Sequence, residues 1–111
     1  MANVPSATRG VPVTLQDDAT TGNGKVIAIP SSFRDHLILI RGSAGIGAGK
    51  VKVEIADSFD YAGTWALQGS EQTLVASTEL AVAITGIIRF LRARISTNVT
   101  GGTVTVTYVG N

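Results

Sequence analysis

A glycine-rich segment is the part of the sequence that most resembles a ligand-binding motif. Residues 44–50 read AGIGAGK, which approximates a P-loop, where backbone N–H groups hold phosphates and a lysine reaches the terminal phosphate. A P-loop also needs a hydroxyl residue after the lysine and a helix whose N-terminus faces the phosphate. Here Val51 follows the lysine, and the next residues alternate as a strand. We therefore interpret residues 42–49 as a flexible hairpin tip, and we expect no nucleotide or other cofactor.

The single histidine, His36, follows Asp35 and invites comparison with a Ser-His-Asp arrangement. Adjacent residues of a strand face opposite sides, so Asp35 is not positioned to orient the His36 ring. Alternation puts His36 on the same face as Ile38 and Ile40, at the start of a strand near the rim of the fold. The sequence predicts no catalytic residue.

Two small acidic groups are candidate cation sites, Asp17 with Asp18 and Asp57 with Asp60. A calcium loop places its first oxygen ligands at alternate positions around a central glycine, and neither group has that spacing. Aspartates in turns commonly hydrogen-bond their own backbone. The chain has no cysteine, which excludes thiolate zinc sites and thiol nucleophiles. We expect no metal site.

Three arginines, Arg89, Arg92 and Arg94, form the basic concentration of the sequence. In an alternating strand, Arg92 and Arg94 share one face with Phe90. Arginine and aromatic residues are enriched in protein interfaces, so this face is predicted to bind another protein. A solvated face with salt bridges to neighbouring strands is the alternative. One strand with one aromatic side chain and a net charge of +1 do not predict a nucleic-acid or membrane partner.

Strands must position all of these residues, because period-2 alternation and β-branched side chains dominate the sequence. In the clearest strand, 50–56, Val51, Val53 and Ile55 are predicted to face the core, with Lys50, Lys52 and Glu54 in solvent. About eight short strands between glycine-rich turns predict an all-β fold, an antiparallel β-sandwich or jelly roll. The predicted segments are 11–16, 25–29, 36–41, 50–56, 64–68, 71–76, 79–85, 87–95 and 103–109.

The chain length of 111 residues predicts one domain. We divide it into an extended or flexible N-terminal arm, residues 1–10, and a single β-sandwich domain, residues 11–111. Charged residues make up 15% of the chain, against about 25% in an average soluble domain. So little charge suggests that a partner covers part of the apolar surface. No signal peptide or membrane-spanning run is visible, which predicts synthesis in the cytoplasm and no membrane association.

Three segments of the second half carry a family resemblance: DSFDYAGTWALQGS at 57–70, GIIRFLRARIS at 86–96 and VTGGTVTVTY at 99–108. Together they resemble small β-sandwich virion proteins of tailed bacteriophages, over roughly residues 50–110. Sugar-binding sandwich domains also pair a G-x-W strand with an R-x-x-R-x-x-I strand.

The resemblance implies a non-enzymatic capsid decoration (cement) protein, or another head or tail accessory protein. Such a protein would bind the major capsid protein or another virion protein at the capsid surface. It would be made in the host cytoplasm and would form a homo-oligomer, with a trimer favoured. The alternative is a carbohydrate-binding or receptor-binding β-sandwich domain of a phage tail or fibre, with Tyr61 and Trp65 as stacking platforms. Alternation with Leu67 instead favours a core position for Trp65.

If the protein is oligomeric, we expect the N-terminal arm and the segment 42–49 to contact neighbouring subunits or the shell, because mobile segments often become ordered on binding. These segments and the basic strand supply the predicted interface. The predicted protein-interface residues are Val4, Pro5, Arg9, Ile46, Phe90, Arg92 and Arg94.

Overall fold

Eight strands form two four-stranded antiparallel sheets in a computed structural model, which describes residues 4–111. The predicted all-β sandwich is therefore confirmed. Within that range no helix is long and apolar enough to cross a membrane. The strands are β1 (Val13–Ala19), β2 (Ile27–Ala28), β3 (Asp35–Gly42), β4 (Ala48–Ala56), β5 (Ala66–Thr73), β6 (Glu79–Thr85), β7 (Phe90–Thr100) and β8 (Val104–Gly110).

The strand order identifies the sandwich as a jelly roll. One sheet has the order β1-β8-β3-β6 and the other has the order β2-β7-β4-β5. In the pairs β4–β5, β3–β6, β2–β7 and β1–β8, the two strand numbers always add up to nine. This pattern describes one long hairpin that is rolled up, so that β8 also pairs with β3 and β7 also pairs with β4. We refer to the 1-8-3-6 sheet and the 2-7-4-5 sheet.

The core lies between the two sheets and is built from alternate residues of the central strands. In β8 the side chains of Val104, Val106 and Tyr108 are fully buried, while Thr105 and Thr107 point outward. Each fully buried aliphatic side chain contributes about 1.5–3 kcal/mol. The fully buried residues with large side chains are Tyr108, Ile27, Ile38, Ile40, Leu91, Val51, Val53, Val104 and Val106.

Strands β5 and β7 differ most from the prediction. The segments 64–68 and 71–76 were predicted as two strands, but a single strand, β5, runs through the glycine between them. Gly69 has a φ of +72° and sits where the register between β4 and β5 shifts, so it forms a bulge and not a turn. Strand β7 also continues past its predicted end at 95 to Thr100.

The prediction of a hairpin tip at residues 42–49 is wrong, because β3 and β4 lie in different sheets. The segment crosses from one sheet to the other and is held by the β7–β8 turn. The amide of Gly47 donates to the carbonyl of Thr100 at 2.8 Å, and that of Ser43 to the carbonyl of Thr103 at 3.0 Å. A Cβ at Gly45 would overlap the carbonyl oxygen of Gly101. Close approach of two backbones therefore explains a glycine here.

The described part of the N-terminal arm runs extended along β2. The amide of Ala28 donates to the carbonyl of Pro5 at 2.9 Å, and the amide of Ala7 donates to the carbonyl of Ala28 at 2.8 Å. Ala7 is only 4% exposed and belongs to the core. The amide of Gly10 then donates to the carbonyl of Gly110 at 2.8 Å. The first three residues of the predicted arm lie outside the described residues.

Gly45→Ala is expected to lower the free energy of unfolding by on the order of 1–3 kcal/mol, because two backbones would have to separate to admit the methyl group. Urea unfolding followed by circular dichroism measures the change. Gly47→Ala is the matched control, since its Cβ would meet nothing closer than the Thr100 hydroxyl at 3.7 Å. Equal tolerance of both substitutions would contradict the close packing of this segment.

Candidate functional site

The outer face of the 2-7-4-5 sheet carries most of the charged side chains that the strands present, and we call it the charged face. Its basic side chains outnumber its acidic ones. Glu71 lies 3.9 Å from the ammonium of Lys50, and the hydroxyl of Ser96 donates to its carboxylate. This hydrogen bond, with help from the nearby cations, lowers the pKa of Glu71. The charged face consists of Lys50, Lys52, Glu54, Glu71, Arg92 and Arg94.

A buried carboxylate holds two arginines at the centre of this face. Nε of Arg92 donates to Oε1 of Glu54 at 3.0 Å. Arg94 donates through Nε to Oε1 at 3.1 Å and through a terminal nitrogen to Oε2 at 3.2 Å. The Glu54 side chain is only 4% exposed. The prediction that Glu54 faces solvent is therefore wrong, because the two arginine side chains cover it.

Trp65 lies beneath Arg92 on the same face. The Arg92 guanidinium carbon is 4.2 Å from the centre of the Trp65 ring, a cation–π contact. The indole N–H donates to the carbonyl of Tyr61 at 2.9 Å. Trp65 is 3% exposed, which rules out its proposed role as a sugar-stacking platform, whereas Leu67, predicted in phase with it, is 42% exposed. Trp65 is buried as expected, but it lies outside the main core cluster.

The structure brings together some of the predicted interface residues. Phe90 is half-buried against Phe59, with ring centres 6.3 Å apart. It pairs with Ala28 of β2, whose amide donates to the carbonyl of Pro5. Val4 and Pro5 are therefore near the Phe90 end of the charged face, which Arg92 and Arg94 continue.

Arg9 and Ile46 are separate from that group. The Arg9 guanidinium carbon lies 5.4 Å from the centre of the Phe33 ring. Ile46 is half-buried, with its side chain close to Gly42 and Gly102, beyond the opposite end of β7. An interface role for all seven residues stays a prediction.

His36 has a structural partner that sequence reasoning missed. It is buried on the core side of β3, and its Nδ1 lies 2.6 Å from the Tyr108 hydroxyl. Nε2 lies 2.8 Å from the carbonyl oxygen of Gly86. A carbonyl only accepts, so Nε2 carries a proton, and in the neutral ring Nδ1 accepts from Tyr108. Burial raises the pKa of Tyr108 to about 12. Both ring nitrogens of His36 are thus occupied in holding the fold.

Potential metal ligands are not clustered in the described part of the chain. Residues 4–111 contain no cluster of three or more His, Asp or Glu side chains placed to hold a metal ion. Oδ1 of Asp18 accepts hydrogen bonds from the hydroxyls of Thr103 and Thr105, each at 3.3 Å. Asp18 therefore fastens β1 to β8 at a position where its own φ is +46°.

Two surface grooves could receive a ligand. The first, about 510 Å³, lies at the end of the 1-8-3-6 sheet between Gly10, Leu37, Ala83 and Val109, and its lining is mainly apolar. The second, about 460 Å³, lies where β4 leaves the sheet, and its lining is mixed. Tyr61, 49% exposed, lines the second groove. Its other lining residues include Asp57, Thr64, Ile87 and Arg89.

The fold is similar to that of the SPBc2 prophage-derived protein YomS. The crystal structure of YomS matches with a TM-score of 0.64 and 19% identity, over 91% of this chain and 92% of that chain. A structure of infectious bursal disease virus, Gx strain, matches with a TM-score of 0.33 and 12% identity, over 88% of this chain and 32% of that chain. No protein-family model matches, and no curated protein is similar in sequence. The likeness to YomS shows a shared fold over nearly the full length of both chains.

Glu54→Gln is expected to lower the free energy of unfolding by about 2–4 kcal/mol, because two partly buried arginines lose their counter-charge. Urea titration at neutral pH measures it. Glu79→Gln is the matched control, since Glu79 pairs at 3.1 Å with Arg41 in solvent and should contribute less than about 1 kcal/mol. Equal losses in the two variants would contradict a special role for Glu54.

Tyr108→Phe is expected to lower stability at neutral pH by about 1–3 kcal/mol, because Nδ1 of buried His36 loses its donor. Folding raises the Tyr108 pKa from 10.0 to about 12. The folded state therefore favours neutral tyrosine. The contribution of Tyr108 to folding stability is complete below pH 10 and is lost as the pH rises towards 12. The gap in thermal midpoint between parent and variant should narrow over that interval. A constant gap would contradict the assignment.

Proposed function

We propose that the chain is a non-enzymatic structural protein of a bacteriophage virion, a capsid decoration protein that binds and stabilises the assembled head. The observation that carries the proposal is the jelly-roll fold, shared over 91% of this chain with a protein encoded by a prophage. The sequence resemblance to small phage virion proteins points in the same direction and comes from the strands β4 to β8. The partner is then the major capsid protein or another virion protein, met at the capsid surface.

The charged face is the surface that we assign to the shell. Glu54 holds Arg92 and Arg94 in fixed orientations, so little side-chain freedom is lost when they meet a partner. Arg92 is further fixed by Trp65. An ordered pair of arginines beside Phe90 has the composition found at protein interfaces. Such a face would bind acidic side chains or carbonyl groups on the shell.

Binding to assembled capsids, compared with free coat subunits, tests this function. The parent protein should co-sediment with capsids and delay their heat-induced release of DNA, because a ligand that binds only the intact shell stabilises it. Lys52→Glu reverses one charge on the proposed face and should weaken binding about tenfold. Arg41→Glu, on the other sheet, is the matched control. Absence of the protein from purified particles of its phage would overturn the proposal.

A second function is favoured by the groove around Tyr61. An exposed aromatic ring beside Asp57 and Arg89 offers a stacking surface with hydrogen-bonding groups at its edge, as a sugar ring requires. Receptor binding by a phage tail or fibre would use such a site. A glycan array decides this point: binding that Tyr61→Ala abolishes and that Val75→Ala, another exposed apolar position, leaves intact would favour the tail function.

A further inference from the structure

Three of the four edge strands of the sandwich carry features that hinder pairing with another chain. Strand β1 has two register shifts and exposes Asp17 and Asp18. Strand β2 has two residues and is bridged by Ser6 of the N-terminal segment. Strand β5 is bulged at Gly69 and carries Glu71. At each of these edges the row of unpaired backbone groups is thus interrupted by a bulge, covered by another segment or flanked by charged side chains.

Strand β6 is the exception. It pairs with β3 over seven consecutive residues, from Glu79 to Thr85, with no register shift. It contains no proline, glycine or lysine. Between its ends every side chain is apolar, on the core side and on the solvent side alike: Leu80, Ala81, Val82, Ala83 and Ile84. A regular edge strand whose one charged residue lies at its end, and which is apolar between its ends, is a surface on which another strand can add.

The backbone groups that face outward can be assigned. At the two ends of the β3–β6 ladder, the amide of Gly42 donates to the carbonyl of Thr78, and that of Gly86 to the carbonyl of Arg34. Because bonded residues alternate in an antiparallel pair, the even-numbered residues of β6 bond β3. The N–H and C=O groups of 79, 81, 83 and 85 point to the open edge. Within residues 4–111, none of these groups has a hydrogen-bond partner in a turn or loop.

We propose that β6 pairs antiparallel with β6 of a second copy of this chain, which joins the two 1-8-3-6 sheets into one sheet of eight strands. Placing Val82 opposite Val82 puts Ala81 opposite Ala83 and Glu79 opposite Thr85. In this register the odd-numbered residues, whose N–H and C=O groups point to the open edge, lie opposite odd-numbered residues of the second copy. Four N–H groups from each copy then have acceptors, which makes eight hydrogen bonds across the two-fold axis.

The sequence of β6 is suited to a second copy because it is nearly symmetric about Val82. Leu80 meets Ile84, and two alanines meet each other, so side chains of matching size face across the axis. The one charged residue, Glu79, lies opposite a threonine and avoids its own copy, whereas like charges placed opposite each other destabilise a sheet. Such self-matching is what a two-fold contact requires.

The outer surface next to the edge fits this arrangement. Leu37 pairs with Ala83 and Leu39 pairs with Ala81 on the solvent side of the sheet, and both leucines are half-buried. Edge pairing would continue this uncharged strip from one copy to the next. The inference does not depend on the phage function, and it gives a dimer where the family resemblance implies a trimer.

Sedimentation equilibrium of the purified chain tests the proposal. The parent should be a dimer that dissociates on dilution. Ala83→Pro removes an outward N–H without removing a bond to β3, and should abolish the dimer. Ala81→Lys keeps every backbone group, places two like charges diagonally across the axis, and should raise the dimer Kd by about tenfold or more. Circular dichroism of both variants checks that the monomer folds.

Thr107→Lys is the matched control. Thr107 lies in the same row as Ala81 and faces the same side, but it is two strands away from the edge, on β8. The Thr107→Lys substitution should leave the dimer Kd unchanged. Loss of the dimer in Thr107→Lys but not in Ala81→Lys would place the contact on the face of the sheet and overturn the proposal. A monomer or trimer of the parent at all concentrations would also overturn it.

Amide hydrogen exchange gives a second readout, which locates the contact at individual residues of β6. A measurement of bulk association does not locate it. The amides of 81 and 83 should become protected as concentration rises, whereas those of 80 and 82 should be protected throughout because β3 bonds them. Capsid binding is measured separately. A dimer that does not bind capsids would therefore leave this inference intact and contradict the proposed function. Protection of 81 and 83 that does not change with concentration would overturn the β6 contact.

Discussion

The insertion of β8 between β1 and β3 is the contact on which the rest of the sandwich depends. It places Val104, Val106 and Tyr108 in the core with no exposed surface, and it ties the two ends of the chain to the middle of one sheet. Tyr108 then reaches His36 on the neighbouring strand. Without this insertion β1 would have no partner strand, and the 1-8-3-6 sheet would be reduced to the β3–β6 pair.

Alternation, together with β-branched side chains and glycine-rich turns, predicted the fold class and most of the strands, because the core-facing positions of β3, β4 and β8 follow period 2 closely. It misplaced Glu54 because a solvent-side position is exposed only when nothing covers it. Arg92 and Arg94, two residues apart on the paired strand β7, cover it. The spacing of these arginines was visible in the sequence, but their pairing with Glu54 required the register of β4 against β7, which periodicity does not supply.

Two glycines, Gly45 and Gly69, illustrate the same limit. A glycine in a sequence can mark a turn, a bulge or a close contact, and the three are distinguished by distant residues. Gly69 bulges a strand that β4 holds on one side. Gly45 lies against Gly101, more than fifty positions away. Local sequence predicts flexible or turn positions for both, although tertiary packing determines both.

The rolled-hairpin topology has a consequence for how the chain folds. The separation along the chain increases steadily from the β4–β5 pair to β3–β6, β2–β7 and β1–β8, so the entropic cost of closing each loop rises in that order. Strand pairing that starts at β4–β5 and proceeds outward closes only short additional loops at each step. Formation of the β1–β8 pair completes the sequence, and a nascent chain cannot make it until its last strand has been synthesised.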